Sequence, residues 1–182
     1  MIRLMIMLEV TFGFVKPDAY GNRQAILEEF ILPSGLSVVI AKDPYHFTEE
    51  KARAHYEALK DKHFFGSLIQ FTLYGLSGLN AERYGKITEA LTALYVLEGE
   101  DAVKVLDEIT GPTDPGVAKL RAAETGRETI RSKYGRGVPD NALHRADSYG
   151  FVRREIMLHF TEEERRTFPP HVLEMLEREP YI

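Results

Sequence analysis

Apolar and polar positions alternate along this chain in two rhythms, one strand-like and one helical. An unbroken β-prone run from Leu8 to Val15 predicts a first strand. Lys16-Pro17-Asp18 ends it, because proline restricts Lys16 to extended backbone and Asp18 is a good helix N-cap. Ala25, Ile26, Leu27 and Phe30 then predict a helix closing near Pro33-Ser34-Gly35, followed by a strand at Leu36 to Ala41. Thr48-Glu49-Glu50-Lys51 resembles a capping box, and Ala52, Tyr56 and Leu59 share the stripe of the helix it opens. Phe64-Phe65-Gly66 reads as a turn into a third strand over about 68–74.

Asn80-Ala81-Glu82-Arg83 is a helix signal within 76–91, and Thr92 to Leu97 reads as a fourth strand. Gly99-Glu100-Asp101 opens a helix with Ala102, Val105, Leu106 and Ile109 inward. Gly111-Pro112-Thr113-Asp114-Pro115-Gly116 is loop punctuation, and 116–143 shows little periodicity, so it reads as a long loop, functional or disordered. Ile156, Leu158 and Phe160 alternate as a last strand. The charged tail from Thr161 carries a short helical pattern at Val172, Leu173 and Leu176. The order predicts an α+β fold: a ferredoxin-like βαββαβ antiparallel sheet with helices packed on one face, an inserted helical segment and a C-terminal extension. A single domain over 1–182 is expected, with a core at about 8–160, an insertion at about 76–90 and a tail at 161–182.

Composition narrows the function classes. With 23 Lys and Arg against 28 Asp and Glu, the formal net charge is −5, which argues against a nucleic-acid backbone as main partner. The chain has no cysteine, so disulfides and thiol chemistry are excluded. Met1 to Val10 is apolar but too short to span a bilayer and lacks a cleavage site, so no membrane partner and a cytoplasmic location are expected. Met5 and Met7 are alternative starts.

The segment Asn141-Ala142-Leu143-His144-Arg145-Ala146-Asp147-Ser148 carries the candidate chemistry. It resembles the stretch around the nucleophilic histidine of nucleoside diphosphate kinases, which run Asn, two apolar residues, His, then usually Gly-Ser-Asp-Ser. Lys16-Pro17-Asp18, His55-Tyr56 with Phe64-Phe65 and Leu68, Glu98-Gly99 followed by Gly111, Thr113 and Pro115, and Thr129-Ile130-Arg131 are similar to the other family motifs, in order. The resemblance covers about residues 8 to 160. It implies transfer of the γ-phosphate of a nucleoside triphosphate to a nucleoside diphosphate by a ping-pong route through phospho-His144. It also implies Mg²⁺ bridging the phosphates with few or no protein ligands, and a homo-oligomer.

Residue by residue, the resemblance implies that Glu155, eleven positions after His144, orients the imidazole, with the ring nitrogen nearer the backbone as the expected contact. Lys16 would meet phosphate and sugar, Arg131 and Thr113 would hold the β- and γ-phosphates, and Tyr56 would support the site beside His144. Asn141 would bond the ribose. Phe64 and Val138 would sandwich the base, with Leu68 lining the slot. Asp147 reads as a helix N-cap, and His46, His55, His63, His159 and His171 read as structural.

The chain departs from the family at three places. Asp107 stands where an arginine is usual, and Arg145 or Lys104 is the candidate compensating cation. Ala146 replaces a serine, and about fifteen residues are inserted around 76–90. These departures motivate an alternative reading, a catalytically weak nucleotide-binding regulatory relative. A nucleic-acid-binding module on the same fold is disfavoured by the acidic charge and the lack of an aromatic sheet signature.

Overall fold

A computed structural model of the chain describes residues 8–75 and 90–177. Strand β1 (Glu9–Val15) leads into a helical run of mixed pitch, α1 (17–34), which Gly35 ends in the left-handed conformation. Then come β2 (Ser37–Tyr45), α2 (Glu49–His55), α3 (Phe65–Tyr74), β3 (Thr92–Gly99) and α4 (Ala102–Thr110). Helices α5 (Pro115–Thr125) and α6 (Ile130–Tyr134) precede β4 (Leu143–Arg145). Helices α7 (Tyr149–His159), α8 (Glu162–Arg165) and α9 (Pro170–Glu177) complete the described chain.

The sheet order is β2-β3-β1-β4, with every pairing antiparallel. Taken with α1 and α4, this is the ferredoxin-like plan. The period of two along β1 feeds two separate cores. Val15 packs with Ile26, Ile31 and Leu106, so α1 and α4 share one face as expected. Val10, Phe12 and Phe14 point to the other face, which α2, α3, α7 and α9 cover through Ala52, Leu68, Val152, Ile156 and Val172. Both faces are therefore buried.

Three segments differ from the sequence-based expectation. The stretch expected as a third strand is α3, whose buried Leu68, Ile69, Phe71 and Thr72 follow helical spacing, and Gly75 ends it at φ 70°. The expected long loop holds α5 and α6. Asp114 caps α5 by accepting from Gly116 N, with Pro115 in the first turn, and Thr129 and Ser132 form a capping box on α6. The expected last strand is α7, capped by Ser148, not Asp147; the last strand is the short β4. The capping Thr48 is as expected, its hydroxyl accepting from Lys51 N. The expected insertion and its helix signal lie outside the described residues. The tail packs back on α7: Tyr149 Oη donates to Met175 O and Arg153 Nε to Leu176 O. Among the described residues no helix is long and apolar enough to cross a membrane.

Candidate active site

The turn after β1 is stapled to the segment before β4. Lys16 N donates to Ala142 O at 2.8 Å, and Asp18 Oδ2 accepts from Ala142 N at 3.0 Å. Lys16 Nζ donates to Asn141 Oδ1 at 2.7 Å and to Pro139 O at 3.1 Å. Asp18 is thus a loop anchor and not the helix cap the sequence suggested; no side chain caps that helix start. Ala142, held between these bonds, takes φ +67°, a conformation that costs a non-glycine residue energy and persists only under such constraint. Asn141 passes the restraint on, Nδ2 donating to Thr113 O at 2.9 Å.

Sheet register sets the next layer. His144 on β4 pairs with Phe14 on β1, so their side chains share a face, and the rings stack with centroids 4.7 Å apart. Arg145, one residue on, points to the opposite face, beside α4. Gly13 permits this close approach, since a Cβ there would lie 2.8 Å from the His144 carbonyl oxygen and 3.3 Å from a Leu106 methyl.

Glu155 comes from the buried stripe of α7. Its Oε2 accepts from His144 Nε2 at 2.9 Å. The carboxylate therefore holds the ring nitrogen farther from the backbone, and the expectation of the nearer one is corrected. The reason is geometric: the imidazole reaches outward from β4, and α7 meets its far edge. Nδ1 is left with its lone pair. Burial, then the neighbouring Lys16 ammonium and the Arg131 and Arg145 guanidiniums, hold His144 neutral well below the usual histidine range. Burial raises Glu155 above the usual carboxylate range. A neutral imidazole with one oriented N–H and one free lone pair is a competent nucleophile.

All ten predicted site residues line one cavity of about 610 Å³: Lys16, Tyr56, Phe64, Leu68, Thr113, Arg131, Val138, Asn141, His144 and Glu155. Arg131 is rigidly held, donating to Gly111 O and Leu143 O at 3.0 Å each and, more distantly, to Thr113 Oγ1 at 3.5 Å. Burial and Arg145 lower its pKa to about 10. Burial lowers Lys16 to about 8 against the pull of Asp18. Tyr56 is buried and meets the His144 ring edge-on at 6.3 Å, its phenol held protonated by burial. Phe64 (42% exposed) and Val138 (59% exposed) present apolar surface at the cavity, while Leu68 is buried.

Asp107, the charge-reversed position, is neutralised within the protein: Arg145 pairs with both Asp107 and Asp147. Lys104 instead faces Glu108 at 4.0 Å. Asp147 is thus an ion-pair partner and not a cap. His55, read as structural, lines the cavity with its Nε2 at 4.0 Å from Glu155 Oε1. Its position directly before Tyr56 was the signal that could have found it. Among the described residues, His55, His144 and Glu155 bring two nitrogens and one carboxylate within 4.8 Å of one another. Magnesium prefers an octahedron of oxygens, so this set does not fit a resident Mg²⁺.

The comparisons with known proteins converge on one family. The family model described as nucleoside diphosphate kinase matches residues 9–165. A nucleoside diphosphate kinase of Phenylobacterium zucineum (strain HLK1) is 32% identical over 163 residues, which is 87% of this chain and 98% of the relative. The structure of the Aquifex aeolicus nucleoside diphosphate kinase matches with a TM-score of 0.68 at 31% identity, over 87% of this chain and 99% of the other. A halophilic nucleoside diphosphate kinase from Halobacterium salinarum in complex with CDP matches with a TM-score of 0.64 at 30% identity, over 87% and 91%.

Proposed function

The chain belongs to the nucleoside diphosphate kinase family, and we propose that His144 carries the phosphoryl group between its two nucleotides. The protein is a phosphotransferase that moves the γ-phosphate of a nucleoside triphosphate to a nucleoside diphosphate. The observation that carries the role of His144 is its Nε2–H bond to Glu155 at 2.9 Å, which leaves Nδ1 to attack.

In the first half-reaction the Nδ1 lone pair attacks the γ-phosphorus. The bond to the β–γ bridging oxygen breaks, and the first diphosphate leaves with that electron pair. Positive charge develops on the imidazole, and the Glu155 carboxylate stabilises it through Nε2–H. In the second half-reaction a β-phosphate oxygen of the acceptor attacks phosphorus, and the P–Nδ1 bond breaks. Both steps use one site, so the kinetics are ping-pong. Lys16, Arg131 and Thr113 hold the phosphates, since such transfer depends on positioning and charge neutralisation. Asn141 and Lys16 meet the ribose. Phe64 and Val138 hold the base from either side with Leu68 beneath, a contact that any base can make. The reading as a catalytically weak regulatory relative loses its main motive once Asp107 is paired with Arg145.

Nucleoside diphosphate kinases generally use a divalent cation, and we infer that here it is Mg²⁺ carried on the nucleotide phosphates. The open edge strand β2 and exposed Leu32, Leu120 and Phe151 favour a homo-oligomer. A chain without cysteine that draws on free nucleotide pools fits the cytoplasm. The test is to incubate the protein with γ-labelled ATP and no acceptor. One acid-labile, base-stable phosphate per chain is expected, and His144→Ala abolishes it. Persistent labelling of that variant would refute the assignment.

A further inference from the structure

Behind His144 and Glu155 lies a second set of buried polar rings that the transfer chemistry does not use. His159 is fully buried on α7, one turn after Glu155, and its ring stacks on Phe12 at 5.7 Å and 7°. Its Nδ1 is 3.1 Å from Tyr45 Oη, and its Nε2 is 3.1 Å from His55 Nδ1. His55 Nε2 has no hydrogen-bond partner and faces Glu155 Oε1 at 4.0 Å. Four groups therefore stand in line: Tyr45, His159, His55 and Glu155. Buried polar groups of this number call for an account, since each unpaired one is costly.

The line has only two self-consistent proton arrangements. Burial keeps both imidazoles neutral, so each carries one N–H. It also keeps the Tyr45 phenol protonated. In one arrangement Tyr45 O–H donates to His159 Nδ1, His159 Nε2–H donates to His55 Nδ1, and His55 Nε2–H faces Glu155. In the other, every N–H is reversed and the His55 Nε2 lone pair faces the carboxylate. A lone pair set against a buried anion is repulsive, so ionised Glu155 selects the first arrangement. Of the nearby cations, Lys42 and Lys51 donate to the His159 carbonyl, and Arg154 donates to the carbonyls of Ala54 and His55.

We propose that Tyr45, His159 and His55 form a one-way chain of donors that positions Glu155, and through it His144, for phosphoryl transfer. The His55 N–H faces Oε1 across 4.0 Å, beyond hydrogen-bond reach, so it acts through its dipole and favours the carboxylate rotamer that keeps Oε2 on His144 Nε2. The three are positioning residues and touch no reacting atom. This inference rests on His144 and Glu155 being the reacting pair.

The test joins spectroscopy and kinetics. Long-range ¹H–¹⁵N spectra of histidine-labelled protein in mildly alkaline buffer, where Glu155 is ionised despite its raised pKa, read each tautomer; His55 and His159 are both expected as Nε2–H. His159→Phe keeps the stack on Phe12 but cuts the chain. It is expected to let His55 populate Nδ1–H and to slow phosphorylation of His144 by ATP about three- to tenfold, with KM unchanged. A packing role alone would move neither the tautomer nor kcat at fixed KM. Wild-type His55 protonated on Nδ1, or His159→Phe phosphorylated at the normal rate, overturns the chain. If His159→Phe does not fold, Tyr45→Phe carries the same test, with the same tautomer change expected and an unaltered His55 spectrum overturning it. Labelling that survives in His144→Ala refutes the underlying assignment instead, so the two failures are distinguishable.

Discussion

The cavity has two sides built by opposite means. On one side, His144, Glu155 and His55 are held by hydrogen bonds and ring contacts in a nearly dry setting: the Glu155 side chain is 4% exposed and the His144 side chain 20%. On the opposite side, Arg145 is held by two carboxylates, of which Asp107 is 54% and Asp147 74% exposed. Exposed ion pairs contribute little and can be re-sorted cheaply, whereas one misplaced atom in a packed polar core leaves an unsatisfied group. This explains why the departure at Asp107 is tolerated. The charge reversal falls where water and a neighbouring guanidinium absorb it.

The sharpest way to test that contrast is to cut inside the buried side. Glu155→Gln keeps the size of the side chain but removes its charge and permits it to donate. His144 then loses both its oriented tautomer and the anion that stabilises its developing charge. Single-turnover phosphorylation is expected to slow roughly a hundredfold, the scale of a lost acid–base partner. A normal rate, measured by rapid quench, would show that the buried side is no more sensitive than the rim.

The pH profile divides the same two sides with a smaller effect. Glu155 is raised by burial, so its working anion is present at high pH and lost as pH falls through its pKa, higher than for an ordinary carboxylate. Lys16 is lowered to about 8, so its charge is present below that value and lost as pH rises through it. Activity is therefore expected to fall on both sides, with kcat declining in acid and KM for the nucleotide rising in alkali, about tenfold per pH unit beyond the limb. Lys16→Arg is expected to move the alkaline limb upward, because a guanidinium stays charged. An alkaline limb unmoved in that variant would assign the loss to another group.

What the sequence disclosed follows the same division. The residues that meet in the cavity were legible through the resemblance to a known family, whose motifs Lys16-Pro17-Asp18, Asn141 and His144 match. The secondary structure around them was less legible. The α7 stripe is Val152, Glu155, Ile156 and His159, and two of its four buried positions are polar. Counted by hydrophobicity alone, the pattern slips to Ile156, Leu158 and Phe160 and reads as a strand. Helix α3 failed for another reason: Phe65, Ile69, Phe71 and Thr72 are β-prone residues placed at helical spacing by tertiary burial. Helix α5 buries only Pro115 and Ala118, so it has almost no stripe to detect, although its Asp-Pro start and Gly126 end were in view. The role of His55 was hidden because its value lies in what it faces across the fold.

The smallest expected effect belongs to the rim. Arg145→Ala removes a cation from the cavity wall and leaves Asp107 and Asp147 without their partner beside the phosphates. A buried charge-assisted bond would contribute about 1.5–3 kcal/mol, but these carboxylates are largely exposed, so about 1 kcal/mol is the fitting scale. That corresponds to a loss of roughly fivefold in kcat/KM, carried mostly by KM. Much of this loss comes from the orphaned carboxylates and not from a missing phosphate contact. Adding Asp107→Ala to the Arg145→Ala variant is therefore expected to restore part of the loss, while Asp107→Ala alone changes kcat/KM about twofold or less. The double-mutant cycle reads the coupling directly. Strict additivity, with the double variant as poor as the sum of its parts, would mean that Arg145 acts on the phosphates alone and that Asp107 is a bystander. Recovery would identify the pair as a self-neutralising substitute for a single cation.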